Sequence, residues 1–251
     1  MNISTISSRI ILVSFSNNFV SLPQDIQEKV DAYWSWLMAN GKSYYRGEVF
    51  TATNKTVVGN AIAVSVDKTD YAHYLYCQDV CSLGDKDVGI VHAVSLVETA
   101  DEYFVFGKMG HQTSRAGMHQ LCGGGIDSSD LRGDHFDLNH NIGRELLEEL
   151  GINIADNSRV KQLEATYLYE RGISKILVVY NLLLKEKKDD FLKKYNRFAD
   201  QLMAAGELSE FGEIIFLKKE KNEIQDFFSQ DKIKFDEYMF PLFSFIIKEE
   251  L

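Results

Sequence analysis

Apolar residues recur at helical spacing between positions 24 and 40, where Ile26, Val30, Trp34 and Leu37 form one stripe. Pro23 suits the first turn of that helix and Gly41 its stop. The period then shortens. Residues 48 to 53 and 57 to 66 are rich in β-branched and aromatic side chains and predict two strands, followed by a short helix over residues 70 to 78. The turn-like stretch Leu83-Gly84-Asp85-Lys86-Asp87 marks the best boundary, because a new strand pattern begins at Val88 and runs through Val97. Beyond it the pattern predicts strands at 103–108 and 119–122, three glycines, and a helix ending near Leu150. Strands at 160–169 and 176–184, a helix near 191–204, a strand at 214–217 and two terminal helical stretches follow. The expected architecture is α+β, a mixed sheet with helices on its faces, divided into a small N-terminal α+β domain over 1–87 and a second domain over 88–251.

Composition narrows the function. The 251 residues are 45% apolar, enough for a conventional core, and the formal net charge is -10. Such a balance disfavours a nucleic-acid partner, whose phosphates are neutralised by Lys and Arg, but allows a small anionic substrate if a metal supplies local positive charge. The run Ile10-Ile11-Leu12-Val13 is far too short to span a bilayer, and no basic flank or small-residue cleavage site accompanies it. The expected setting is therefore cytoplasmic, without a membrane partner; the oligomeric state is not legible. Cys77, Cys81 and Cys122 are an odd number with no matching Cys/His pair, and ordinary buried thiols are the default. His111, His119, His135 and His140 follow no zinc-ligand spacing and are expected in loops.

The chemistry concentrates in Gly123-Gly124-Gly125-Ile126-Asp127 and, after a polar stretch, Arg144-Glu145-Leu146-Leu147-Glu148-Glu149-Leu150-Gly151-Ile152. On a helix, Glu145, Glu148 and Glu149 stand at i, i+3 and i+4 and are expected to share one face, with Leu146, Leu147 and Leu150 on the other. Three neighbouring carboxylates repel one another and need a positive partner, either Arg144 with solvent or a divalent cation. Magnesium suits oxygen ligands of this kind, with manganese as the alternative ion. The glycines let backbone carbonyls and amides approach a metal or diphosphate closely.

These residues resemble the Nudix box, G-x5-E-x7-R-E-U-x-E-E-x-G-U, where U is aliphatic. Gly124 takes the box glycine, Arg144 and Glu145 the R-E pair, Glu148 and Glu149 the E-E pair, and Gly151-Ile152 the end. The sequence departs from the pattern twice: the box glutamate falls on Asp130, and six extra residues lie between it and Arg144. The acidic partner of Arg144 is therefore Asp130, Asp134 or Asp137. The resemblance implies a Nudix α/β/α sandwich over about 88–251 that hydrolyses a nucleoside diphosphate linked to a second group. It further implies Glu148 and Glu149 as metal ligands, Glu145 as ligand or water activator, the Gly123 carbonyl as a further ligand, and Glu207 or Glu210 as an added acid. Gly124, Lys108, Arg115 and Arg132 are the candidate substrate contacts, the last three as phosphate-binding cations in or near loops. Residues 131–141, polar and within the insertion, are expected to form an exposed loop near the pocket.

The N-terminal residues Trp34, Gly47, Phe50 and Thr69-Asp70-Tyr71, with Leu75, resemble the Nudix branch that hydrolyses UDP-glucose and related UDP-sugars to UMP and the sugar 1-phosphate. Each of Trp34, Phe50 and Tyr71 fits a core position better than a substrate contact. Competing functions are a non-catalytic Nudix-fold nucleotide sensor and a hydrolase of ADP-ribose or another nucleotide. The full set Arg144, Glu145, Glu148 and Glu149 favours an enzyme, and the absence of a basic run disfavours an RNA cap hydrolase.

Overall fold

Residues 175–184 carry side chains that are almost all buried, so this segment must be covered on both faces. In the computed structural model, which describes residues 2–6 and 9–251, it is a central strand of a mixed sheet. The chain begins with strands β1 (Asn2–Thr5) and β2 (Ile10–Phe19), helix α1 (Gln24–Ala39), strands β3 (Glu48–Val58) and β4 (Ala61–Asp70) and helix α2 (Tyr71–Asp79). Strands β5 (Ile90–Glu98), β6 (Tyr103–Met109), β7 (His119–Gln120), β8 (Cys122–Gly125), β9 (Leu131–Arg132) and β10 (His135–Phe136) lead to helix α3 (Leu138–Leu150). Strands β11 (Val160–Arg171) and β12 (Lys175–Leu184), helix α4 (Lys188–Ala204), strand β13 (Phe211–Lys218) and helices α5 (Lys221–Phe228) and α6 (Met239–Glu249) complete it.

The main path of the sheet is β1-β11-β12-β5-β3-β4-β2-β10-β9, with β8 on β5 and with β13 and β7 on β6. The pairs β12/β5 and β2/β4 are parallel and the other pairs antiparallel. Alternation along β12 sends Ile176, Val178 and Leu182 into one core with Ile142, Leu146 and Leu150 of α3 and Phe191 of α4. Leu177 and Val179 enter a second core with Ile224 of α5 and Leu242, Phe243 and Ile246 of α6. The expected mixed sheet covered by helices is thus formed. Strand pairings cross the expected boundary, which falls at a 3₁₀ turn over Gly84–Lys86: β1 joins β11, and β10 joins β2. Among the described residues no helix is long and apolar enough to cross a membrane.

The predicted α1 is present, and Val30 and Leu37 are its buried residues. The run at Ile10–Val13 lies in the ten-residue strand β2, where Ile10 and Leu12 are exposed and Val13 is buried. Two expectations need correction. The segment 57–66 is not one strand: Gly59, with φ +59°, turns a hairpin between β3 and β4. The insertion is no free loop. Its residues 131–132 and 135–136 form a hairpin that pairs with Ser14 of β2, and Phe136 packs its ring 4.7 Å from that of Phe50. One aromatic anchor is enough to order a polar segment when its backbone also finds a strand partner. Phe136→Leu should therefore lower stability by about 1 kcal/mol, measured by denaturant unfolding; unchanged stability would return the segment to a mere surface loop.

Candidate active site

Strand β8 runs antiparallel to β5, with Gly123 opposite Val94 and Gly124 opposite Ala93. Gly123 has φ +143°, and a Cβ there would stand 2.2 Å from the Ala93 carbonyl oxygen. A Cβ on Gly124 would stand 2.5 Å from Oε1 of Glu145. The two glycines thus admit helix α3 and its carboxylates directly onto the strand.

Helix α3 starts at Asp137, whose side chain accepts from the amides of Asn139 and His140, and ends at Gly151 in the left-handed conformation. A Cβ on Gly151 would meet the Phe198 ring at 2.7 Å, so Gly151→Ala should cost about 1–2 kcal/mol. Chemical denaturation checks this, and equal stability would show that the helix end relaxes freely. The buried residues of α3 are Leu138, Asn141, Ile142, Glu145, Leu146, Glu149 and Leu150. At about 100° per residue they cover one broad arc, with Glu145 and Glu149 on its strand-facing side. The expected division into an acidic face and a leucine face is therefore corrected: Leu147 is 51% exposed, and the Glu148 side chain is 57% exposed at the rim.

Arg144 ties the acids together. Its guanidinium lies 2.9 Å from Glu145, 3.1 Å from Glu148, 3.3 Å from Asp127 and 3.4 Å from Asp130. Asp130 is fully buried and also accepts from the Asp127 amide and Asn141 Nδ2, while its other oxygen meets His140 Nδ1 at 2.7 Å. Of the three candidates it is thus Asp130 that pairs with Arg144. Asp137 caps α3, and Asp134 lies against His135. The insertion leaves Asp130 in place because it is accommodated by the β9–β10 hairpin after Asp130.

Glu149 accepts from the Gly123 amide at 3.0 Å. Burial, followed by the charges of Glu210 and Glu145, holds its carboxyl well above the usual range. Glu145 is pushed up to about 7 by burial, against the lowering influence of Arg144. Glu210, just ahead of β13, is exposed in surface area yet lies close enough for its charge to raise Glu149 and Glu145, and its own carboxyl is raised by desolvation and by Glu148. Of the two candidate outside acids, Glu210 reaches the cluster and Glu207 stays in solvent. Among the described residues no Lys or Arg pairs with Glu149 or Glu210, and no three His, Cys, Asp or Glu side chains converge as a ready-made metal cage. The donors are nonetheless all oxygen, and Glu145, Glu149 and Glu210 are raised by burial and then by neighbouring carboxylates. That is the environment a hard divalent cation relieves.

A cavity of about 460 Å³ opens beside these acids. Gly123 and Glu210 line it together with Tyr44, Tyr45, Tyr71 and Tyr74 from the N-terminal segment.

No family model and no curated protein matches the sequence. Among solved structures, a MutT from work on Aliivibrio salmonicida and Vibrio cholerae is similar at 15% identity and a TM-score of 0.39, over 64% of this chain and 97% of that one. The Nudix domain of NrtR from Shewanella oneidensis, complexed with ADP-ribose, is similar at 12% identity and 0.35, over 68% and 94%. A bifunctional NMN adenylyltransferase/ADP-ribose pyrophosphatase from Francisella tularensis, complexed with AMP and a manganese ion, is similar at 12% and 0.40. That likeness covers 64% of this chain and 42% of the Francisella protein, so the present chain spans less than half of its length.

Of the three cations expected to contact phosphate, Arg115 lines the cavity. Lys108 is exposed on β6, 3.9 Å from Glu213, and Arg132 is exposed on β9, donating to the carbonyls of Ser129 and Leu131. Cys122 is buried as expected, but Cys77 is half-buried and Cys81 exposed. The histidines also differ from the expectation: His119 is buried on β7, His135 lies on β10, and His140 sits in α3 and braces Asp130. In the N-terminal pattern, Phe50 and Trp34 serve packing, while Asp70 caps α2 and holds Arg46 at 2.7 Å. Tyr71 packs beside Trp34 and has a second role. It lines the cavity and donates its hydroxyl to Ser114 at 3.0 Å. Sequence reasoning missed Tyr44, Tyr45, Tyr74 and Asp236 as cavity residues, because they meet only through long-range packing.

Proposed function

We propose that this chain hydrolyses the diphosphate bridge of a nucleoside diphosphate joined to a second group, with UDP-sugars such as UDP-glucose or UDP-galactose as substrates. One observation carries the reading: the buried Glu145–Glu149 pair laid against Gly123 and Gly124 and anchored by Arg144, at the edge of a cavity of about 460 Å³. That volume falls in the range that encloses a small organic ligand, roughly 300–1,000 Å³. Glu145, Glu149, Glu210, the rim residue Glu148 and the Gly123 carbonyl would hold magnesium, or manganese in its place. When bound, such an ion offsets charge on the two phosphates and acidifies a water. Glu145, in its ionised form, accepts the proton of the attacking water, and Arg144 holds that carboxylate in position. Gly124 leaves room for the Glu145 carboxylate against the strand, and the tyrosines exclude water around the remainder of the substrate.

Incubation with UDP-glucose, UDP-galactose, ADP-ribose and a nucleoside triphosphate, each with magnesium and with chelator, tests this. The expected result is UMP and sugar 1-phosphate, formed in magnesium alone, with kcat/KM highest for the UDP-sugars. A preference for ADP-ribose or the triphosphate would remove the UDP-sugar reading, and no cleavage of any diphosphate would remove the enzyme.

A further inference from the structure

The cavity has a second charged wall that the hydrolytic acids do not use. Arg115, in the loop between β6 and β7, donates one N–H to Asp236 Oδ2 and another to the Tyr74 hydroxyl, both at 3.1 Å. The other oxygen of Asp236 accepts from Lys175 Nζ at 2.8 Å, and both of these residues are about 5% exposed. Lys175 also stands 3.3 Å from Glu237, which in turn pairs with Arg171 at 2.6 Å. The Asp236 amide donates to the His119 carbonyl at 3.0 Å, which fixes the carboxylate from the backbone side. His92, which also lines the cavity, is pushed down to about 3 by burial and by Lys175 and so carries no charge there.

The hydrogen-bonding capacity of this wall is one-sided. The Tyr74 hydroxyl accepts from Arg115 and the Tyr238 hydroxyl accepts from the Leu121 amide, so each keeps its own proton to donate. A guanidinium has five N–H donors, and two are spent here. Three cations, Arg115, Lys175 and Arg171, face two carboxylates, Asp236 and Glu237. A buried Lys–Asp pair adds little net stability, because desolvation offsets its attraction. Its clearest effect is to fix the angle at which the Asp236 carboxylate holds the Arg115 fork.

We propose that Arg115, with the Tyr74 hydroxyl it holds, selects the substrate by acceptor oxygens on the part beyond the diphosphate, and that Asp236, clamped by Lys175, is the residue that positions it. The proposal rests on the diphosphate-hydrolase reading of the same cavity. The oxygens it recognises are those of a pyrimidine carbonyl edge or of a sugar. An adenine edge sets an amino donor beside a single ring-nitrogen acceptor and so pairs fewer of these donors than a carbonyl edge does.

The test compares wild type, Arg115→Gln, Asp236→Asn and the double variant. KM and kcat are measured on UDP-glucose, and calorimetric titrations with UMP, AMP, glucose 1-phosphate and inorganic phosphate are run in chelator. Arg115→Gln should raise KM about 10- to 100-fold with kcat changed less than about threefold, and Asp236→Asn should raise KM less. In the Arg115→Gln background Asp236→Asn should have no further effect on KM, whereas a purely structural role would add in full. Weakened binding of UMP with glucose 1-phosphate unchanged assigns the oxygens to the base; the reverse assigns them to the sugar. Equal weakening of all four ligands, inorganic phosphate included, would make Arg115 a phosphate contact and overturn the proposal. So would a fall in kcat at constant KM, additive effects of the two substitutions, or, where UMP is the ligand weakened, wild-type affinity for AMP equal to that for UMP. If no diphosphate is cleaved the hydrolase reading fails, while the titrations in chelator still decide the role of Arg115.

Discussion

Glu149→Gln should lower kcat by about a thousandfold or more, because the loss of a cation ligand and charge partner removes several kcal/mol of transition-state stabilisation. The same change should leave the fold as stable as the wild type or more so. Glu149 is buried on α3 with its carboxyl raised by burial and by Glu210 and Glu145, and the neutral amide avoids that cost while still accepting from the Gly123 amide. Steady-state kinetics with saturating magnesium and a thermal melt in chelator are the paired measurements. Near-normal turnover would refute the ligand assignment, and a large loss of stability would make the residue structural.

The pH dependence of stability has the same origin. Glu145 moves from an ordinary value of 4.5 to about 7 through burial, with Arg144 opposing the shift. A folded-state value above the unfolded one gives stability that is complete below about 4.5 and is lost as pH rises through about 7. In chelator the melting temperature should therefore decline across that window, and magnesium should reduce the decline. A flat profile in chelator would show that Arg144 compensates the carboxylate fully.

The second large effect is on stability. Arg144→Met should destabilise the protein by about 3 kcal/mol, near the lower end for breaking a buried ion pair. The guanidinium touches four carboxylates, of which Asp130 is fully buried, while Asp127 and Glu148 reach solvent and need it less. His140 and Asn141 continue to serve Asp130, which keeps the loss from being greater. Adding Asp130→Asn to Arg144→Met should recover part of the loss, measured by urea unfolding of the four members of the cycle. A single Arg144→Met variant as stable as the wild type would show that the acids are compensated elsewhere.

What the sequence determined by itself is local. Helical periodicity placed α1 and its Val30–Leu37 stripe, the glycine at 151 ended α3, and continuous apolar runs marked β5 and β12, because each depends on neighbours within a few residues. The acidic helix and the triple glycine were likewise visible as a constellation. Tertiary structure alone decided which face of that helix is buried: Glu145 and Glu149 turn to β8 because Gly123 and Gly124 offer no side chain to displace them. It also chose Asp130 as the partner of Arg144 and brought Glu210 to Glu149. The tyrosines of the first 80 residues, Arg115 and Asp236 line one cavity, with Lys175 paired to Asp236, only because strand pairing joins segments far apart in the chain. Spacing along a sequence encodes the period of a helix or strand. It does not encode which distant surface that element will cover, since burial and long-range charge pairing are settled only when the sheet closes.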